Sequence, residues 1–274
     1  MTRLIDGRAI AGEIADEVRA IAARAARPPR LAVVLPSDDE AAAWYVRSIQ
    51  RTAGKVGIGC QVDELFSEGA SAIARRLDVL SGDPDVDGII CQTPLPDGLR
   101  LAEVGSHIAP GKDVDGANPV SLGRLAAGLR AFAPATAAAV LEILQREQVR
   151  LTGARDVVVG RSIVVGKPAA LLLLAQDATV TVCHSRTADL ASVCAGADVL
   201  VAAVGRAGFI GASFIKPGAV VIDVGTNPVD DGGFVGDVVA DEAGAASALT
   251  PVPGGVGPVT TMMLMLHTAR AATG

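Results

Sequence analysis

Short apolar runs alternate with helix-length segments along this whole chain, and that alternation leaves few folds open. Residues 30–35, 58–64 and 86–91 read as strands, with helices expected between them over 40–55 and 71–80. Asp6 is placed to cap a first helix over residues 9–26, stopped by Pro28-Pro29. A loop rich in Pro, Gly and Asp covers residues 92–119, and another helix is expected over 136–148. The second half repeats the alternation, with strands at 156–159, 178–183, 198–204 and 219–224. A Leu-rich helix runs to Ala175, and a final helix over 259–271 follows a Gly/Pro loop at 251–258. This order predicts an α/β fold of two doubly wound lobes with parallel sheets.

Composition agrees. A chain of 274 residues is comfortable for two cores. Half of its residues are hydrophobic but only 3% aromatic, which suits buried parallel strands covered by helices. A net charge of −6 without a basic run argues against nucleic acid as a partner. Cys60, Cys91, Cys183 and Cys194 lie far apart with no Cys-x-x-Cys pair, so neither a disulfide framework nor a metal site is expected. Residues 1–12 are polar, and no apolar stretch reaches membrane-spanning length uninterrupted. A cytoplasmic protein without membrane contact is expected.

The stretch Val157-Val158-Val159-Gly160-Arg161-Ser162-Ile163-Val164-Val165-Gly166-Lys167-Pro168 passes from strand through a tight turn into a helix. Gly160 permits the turn, and the helix N-terminus offers free N–H groups to a pyrophosphate. It is not a P-loop: the spacing to Gly166-Lys167 is one residue too long, and Pro168 stands where Ser or Thr would hold magnesium. The next strand ends in His184-Ser185-Arg186-Thr187, without the carboxylate that bonds the ribose 2′-hydroxyl of NAD. Arg161, Ser185 and Arg186 offer cationic and hydroxyl contacts to a 2′-phosphate instead, so NADP is the expected cofactor. His184 beside Ser185 is expected at the cofactor's edge.

Further segments carry a resemblance. Tyr45-Val46, Gln92-Thr93-Pro94-Leu95-Pro96 and Lys112-Asp113-Val114-Asp115-Gly116 stand in the first half. Ile222-Asp223-Val224-Gly225, Gly236-Asp237-Val238 and the run from Pro251 through Gly254-Gly255 to Thr260 stand in the second. Together with Gly160-Arg161-Ser162 and Val165-Gly166, in this order, the chain resembles the methylenetetrahydrofolate dehydrogenase/cyclohydrolase family. The resemblance implies a homodimer and a cleft between a folate-binding lobe and a Rossmann-type NADP lobe. Residues 1–118 with 259–274 would form the first lobe, and 136–258 the second. It implies Tyr45, Gln92 and Asp115 as catalytic and folate-binding residues, with Pro253, Gly254 and Gly255 on the substrate. Gly160, Arg161, Ser162, Val165, His184, Ser185, Arg186, Val204, Gly225 and Thr260 would line the cofactor. Taken alone, Asp115 in Asp-Val-Asp-Gly reads as readily as a turn residue, and Tyr45 as core packing.

The chain also departs from the family's pattern. The family carries a lysine one helical turn after the tyrosine; that position is Ile49 here. Arg47 and Arg51 point away from that face, and Lys55 is too far along the helix. Hydride loss from a methylene carbon flanked by two nitrogens needs no general base. Hydrolysis of the resulting cation moves protons, which a lysine assists and an isoleucine cannot. The family's Pro-Cys-Thr-Pro segment is reduced to Pro134-Ala135-Thr136, followed by Ala137-Ala138-Ala139. These features predict an NADP-dependent 5,10-methylenetetrahydrofolate dehydrogenase with weak or absent cyclohydrolase activity. A bifunctional enzyme with a compensating residue, an oxidoreductase for another cyclic aminal or iminium, and a non-catalytic folate or NADP binder stay open. His107 and His267 are expected to be exposed or capping, and Cys91 to be packing without a His partner.

Overall fold

The computed structural model describes residues 2–66, 68–229 and 232–274. From the N-terminus its elements are β1 (Arg3–Leu4), α1 (Gly7–Ala22), β2 (Arg30–Leu35), α2 (Glu40–Lys55), β3 (Gly59–Glu64), α3 (Ala70–Gly82) and β4 (Gly88–Cys91). Helices α4 (Leu101–Gly105), α5 (Pro119–Ala126) and α6 (Ala135–Arg146) follow. Then come β5 (Arg155–Val159), α7 (Gly166–Leu174), β6 (Thr179–Cys183), α8 (Leu190–Cys194), β7 (Val199–Ala202) and β8 (Val220–Asp223). The antiparallel pair β9 (Asn227–Pro228) and β10 (Phe234–Val235) precedes β11 (Ala248–Leu249) and α9 (Val256–Ala271).

The chain divides into two compact units. One holds the residues up to Ala11 together with Thr136–Thr260; the other holds Gly12–Ala135 and Thr261–Gly274. This differs from the lobe boundaries expected from sequence. The N-terminus goes with the second half because β1 pairs in parallel with β11, Arg3 opposite Ala248 and Leu4 opposite Leu249. The later division falls inside α9, which starts three residues before the expected position. Pro258 is accommodated in its first turn, where a missing N–H breaks no helical bond.

In the unit holding Gly12–Ala135, a parallel sheet of order β3-β2-β4 forms the centre. All of β2 except Arg30 is buried, as a central parallel strand requires. Ala32, Val34, Ile73, Leu77 and Ile89 pack in its core. A parallel bridge from Ile89 to Asp113 extends this sheet and fixes the start of the Asp-Val-Asp-Gly turn beside β4.

The other unit is built on a six-stranded parallel sheet of order β1-β11-β8-β7-β5-β6. The chain runs from β5 to β6 on one side, then returns to β7 on the other. That change of direction opens a crevice at the carboxyl ends of β5 and β7, the usual ligand site of doubly wound sheets. Among the described residues no helix is long and apolar enough to cross a membrane, and no His, Cys, Asp and Glu cluster could hold a metal ion.

Candidate active site

The six-stranded unit presents the crevice with a tightly packed glycine turn. Gly160 follows β5 with φ of +142°, and a Cβ there would lie 2.2 Å from the Ala203 carbonyl oxygen. Gly166, the first residue of α7, is equally confined: its Cβ would meet the Gly160 carbonyl oxygen at 2.2 Å. Only glycine at both places lets the turn from β5 into α7 close against the backbone after β7. The Ser162 hydroxyl oxygen accepts from the Val165 and Gly166 N–H groups at 3.1 and 3.3 Å. Ser162 thus shapes the start of α7, and Val165 is held by it. Arg161 is exposed beside them. This cradle has the form a dinucleotide pyrophosphate needs.

The end of β6 forms a second, closed turn. The His184 N–H donates to the Thr187 hydroxyl at 2.9 Å, and the Thr187 N–H donates to the His184 carbonyl at 2.8 Å. His184 Nδ1 accepts from the Arg186 N–H at 3.2 Å, which leaves Nε2 to carry the proton of the neutral ring. Ser185 and Arg186 are exposed on this turn. Thr187 was given no role by the sequence, although it closes the turn that carries both.

Two carboxylates that sequence reasoning left as motif letters organise the loops after β7 and β8. Asp237 accepts from the N–H groups of Val204, Gly205 and Arg206 at 2.6 to 2.9 Å, and from the Asn227 amide at 3.0 Å. Asp223 accepts from the N–H groups of Gly225, Asp237 and Val238, each at 2.9 Å. Burial pushes the Asp223 carboxyl up to about 6, against the opposing pull of these three N–H donors. Val204 and Gly225, expected on the cofactor, therefore have their N–H groups engaged in this clasp. Gly225 has a packing reason as well, since its Cβ would meet the Asp237 N at 2.4 Å. Gly254 has φ of +106°, and Gly255 has no room for a side chain against the Pro251 carbonyl oxygen at 2.6 Å. Pro253 is exposed next to them, and Thr260 lies half-buried on α9.

In the other unit, Tyr45 on α2, Cys91 at the end of β4 and Asp115 come together. The charge of Asp115 reaches both neighbours: burial and that charge push the Tyr45 hydroxyl and the Cys91 thiol up to about 12 each. Burial likewise pushes Asp115 up to about 7, although the Ala135 N–H at the start of α6 donates to its Oδ1 at 3.3 Å. The two aspartates of Asp-Val-Asp-Gly have separate tasks. Asp113 accepts from the Ala117 and Asn118 N–H groups and the Ser121 hydroxyl, so it is the turn-forming residue. Among the described residues Asp115 is left with a single backbone donor. Gln92 follows Cys91, with its amide donating to the Thr93 carbonyl at 3.0 Å. Ile49, one turn beyond Tyr45, is fully buried, while Gln50 and Arg51 are exposed. Ala135 is also fully buried, and so, within the six-stranded unit, are Ala137 and Ala139.

One sequence expectation here needs correction. His267 is neither exposed nor a cap: it is buried, its Nδ1 lies 2.8 Å from the Val114 carbonyl oxygen, and its ring packs on Phe132. Residues 261–269 of α9 are apolar or small around most of the helix, so the helix is buried on most sides and takes the histidine in with it.

A glycine cradle at the switch point of a parallel sheet defines a dinucleotide-binding α/β protein. Residues 5–115 match the tetrahydrofolate dehydrogenase/cyclohydrolase catalytic domain, and residues 134–274 match the NAD(P)-binding domain of the same family. A protein of Parafrankia sp. (strain EAN1pec) called bifunctional protein FolD is 62% identical over 99% of this chain and 100% of its own length. The bifunctional enzyme FolD of Campylobacter jejuni has the same fold with a TM-score of 0.97, at 35% identity over 100% of this chain and 99% of that one. FolD of Trypanosoma brucei, solved with NADP cofactor and inhibitor, gives a TM-score of 0.93 at 37% identity, over 99% of this chain and 97% of that one. The chain belongs to the tetrahydrofolate dehydrogenase/cyclohydrolase family.

Proposed function

We propose that this protein is an NADP-dependent 5,10-methylenetetrahydrofolate dehydrogenase whose cyclohydrolase activity is weak or absent. The observation that carries the second half is Ile49: it is fully buried, and it offers no group that could take or give a proton. Arg161, Ser185 and Arg186 would hold the 2′-phosphate of NADP, with the Gly160–Gly166 turn under its pyrophosphate. NADP, when bound, supplies the acceptor for the hydride. Asp115 would orient the pterin by accepting its N–H donors, and Tyr45 and Gln92 would border the same ring. Because hydride loss is assisted by the substrate's own nitrogens, none of these residues has to remove a proton in the dehydrogenase step.

A bifunctional reading is favoured by a different observation. Asp115 is held up at about 7, so it can both hold and release a proton near neutrality. In that reading Asp115 moves the protons of ring opening in place of a lysine, and the bifunctional relatives point the same way. A spectrophotometric assay separates the two. Reduction of NADP with accumulation of the methenyl product supports the monofunctional enzyme, and methenyl decay faster than in buffer supports the bifunctional one. Absence of hydride transfer with either NADP or NAD would overturn both, in favour of a binding protein or another cyclic aminal as substrate.

We also propose a homodimer. Edge strand β6 exposes Val182, and β10 exposes Phe234, an arrangement that an apolar partner surface would cover. Sedimentation equilibrium tests it, and a monomer at micromolar concentration would overturn it.

A further inference from the structure

A cavity of about 510 Å3 opens in the unit holding Gly12–Ala135, and it includes none of Tyr45, Gln92 or Asp115. Arg124 from α5, Arg130 and Arg270 from the end of α9 line it, with Phe132 and His267 also in its wall. No Asp or Glu side chain lines it, and Gly274, the last residue of the sequence, stands in the same wall. Among the described residues none of these three arginines is paired with a carboxylate, although the chain as a whole carries a charge of −6. Three unpaired guanidinium groups around one concavity repel one another, and an anion placed among them removes that repulsion. Guanidinium forks also suit the oxygen pairs of phosphoryl and carboxylate groups.

The wall is firmly built. The Arg124 side chain donates from Nε to the Arg130 carbonyl at 2.9 Å, and the Leu129 N–H donates to the Arg124 carbonyl at 2.8 Å. His267 is anchored to the Val114 carbonyl at 2.8 Å and stacked on Phe132 at 5.0 Å between ring centres. Preformed walls lower the ordering cost of binding. The volume falls in the range of small-molecule sites, roughly 300–1,000 Å3, and is more than a single inorganic ion needs.

From this geometry we infer that the cavity is a binding site for a small organic or inorganic polyanion, held by Arg124, Arg130 and Arg270. The ligand carries two or more phosphoryl or carboxylate groups, and the site is independent of the dinucleotide crevice.

Isothermal titration with pyrophosphate and with citrate, at matched ionic strength, tests this. The protein carries Arg161→Ala and Arg186→Ala, so that the arginines near the crevice cannot hold the anion. Saturable binding is expected, and adding Arg130→Gln and Arg270→Gln should weaken it by about tenfold or more, the loss of charge-assisted bonds. Both residues are exposed, so the fold should tolerate the change, which circular dichroism checks. Binding of pyrophosphate alone assigns a phosphorylated ligand, and of citrate alone a polycarboxylate. No saturable binding of either, or equal affinity with and without Arg130 and Arg270, overturns the site.

Discussion

The Asp237 N–H donates to Asp223 Oδ1 at 2.9 Å, so each of these two acidic residues is fixed by the loop that the other organises. The fit leaves no slack: a Cβ on Gly236, the residue before Asp237, would lie 1.8 Å from Asp223 Oδ2. Through its own oxygens Asp237 then holds the backbone of Val204, Gly205 and Arg206 at the carboxyl end of β7. The edge of the nucleotide crevice thus rests on a carboxylate far from it in sequence.

Removing that carboxylate should cost more than a surface charge does. Asp237→Ala removes the shared acceptor of three N–H groups, of which Val204 is half-buried and Gly205 and Arg206 are exposed, so the loss is that of the hydrogen bonds themselves, about 0.5–1.5 kcal/mol each. A loss of about 3 kcal/mol in urea denaturation is expected, together with a raised KM for NADP. An unchanged midpoint would show that water replaces the carboxylate.

Asp156 presents the opposite case. It is fully buried in β5, and among the described residues neither carboxylate oxygen has a hydrogen-bond partner. Burial, then the nearby charge of Asp198, pushes it up to about 7. Its folded value exceeds its unfolded one, so the folded state binds the extra proton. Stability from this group is complete below about pH 4 and is lost as pH rises through 7, at about 1.4 kcal/mol per pH unit. Asp156→Asn keeps the shape without the ionisation, and should flatten the pH dependence of urea midpoints between pH 5 and 8. Parallel pH curves for the two proteins would contradict this.

The contrast between these aspartates shows what sequence can and cannot supply. Residues 30–35 and 40–55 match β2 and α2 end for end, because a continuous apolar run and an amphipathic stretch capped by Asp39 are local signals. Strands β1 and β11 were missed, since two residues carry no periodicity and their pairing joins positions 245 residues apart. Gly160 and Gly166 announced a turn, but not that the Ala203 carbonyl would fill the space beside Gly160. Asp113 and Asp115 look equivalent in Asp-Val-Asp-Gly. Only the fold gives Asp113 three donors and leaves Asp115 one among the described residues. His267 looked isolated because the carbonyl it bonds, that of Val114, is 153 residues away.

The cofactor proposal has its own test. Arg161 and Arg186 are exposed, so neither is needed for packing. A charge-assisted hydrogen bond to phosphate contributes about 1.5–3 kcal/mol, or roughly 10–100-fold in affinity. Arg186→Ala and Arg161→Ala should each raise KM for NADP by about tenfold or more while leaving kcat and the use of NAD nearly unchanged. Equal losses with NAD and NADP would mean that these arginines serve the pyrophosphate or the fold instead.

The sharpest prediction concerns Ile49. Val46 and Ala53, one turn to either side on α2, are buried with it, so a lysine placed there enters an apolar setting. Desolvation should hold its ammonium below the ordinary lysine value, which is the condition under which a lysine exchanges protons near neutrality. Ile49→Lys should therefore cost about 2–4 kcal/mol in urea denaturation, for a buried amine without a built partner. It should also speed methenyl hydrolysis by about 10²-fold, the lower end for a positioned acid–base group. Ile49→Met, of similar bulk but without the amine, should show neither effect. If Ile49→Lys folds and hydrolysis does not rise, the block lies at another position. The fully buried Ala137 and Ala139 of α6 are then the next positions to change, because they occupy part of the segment in which the family's basic residue and glycine are missing.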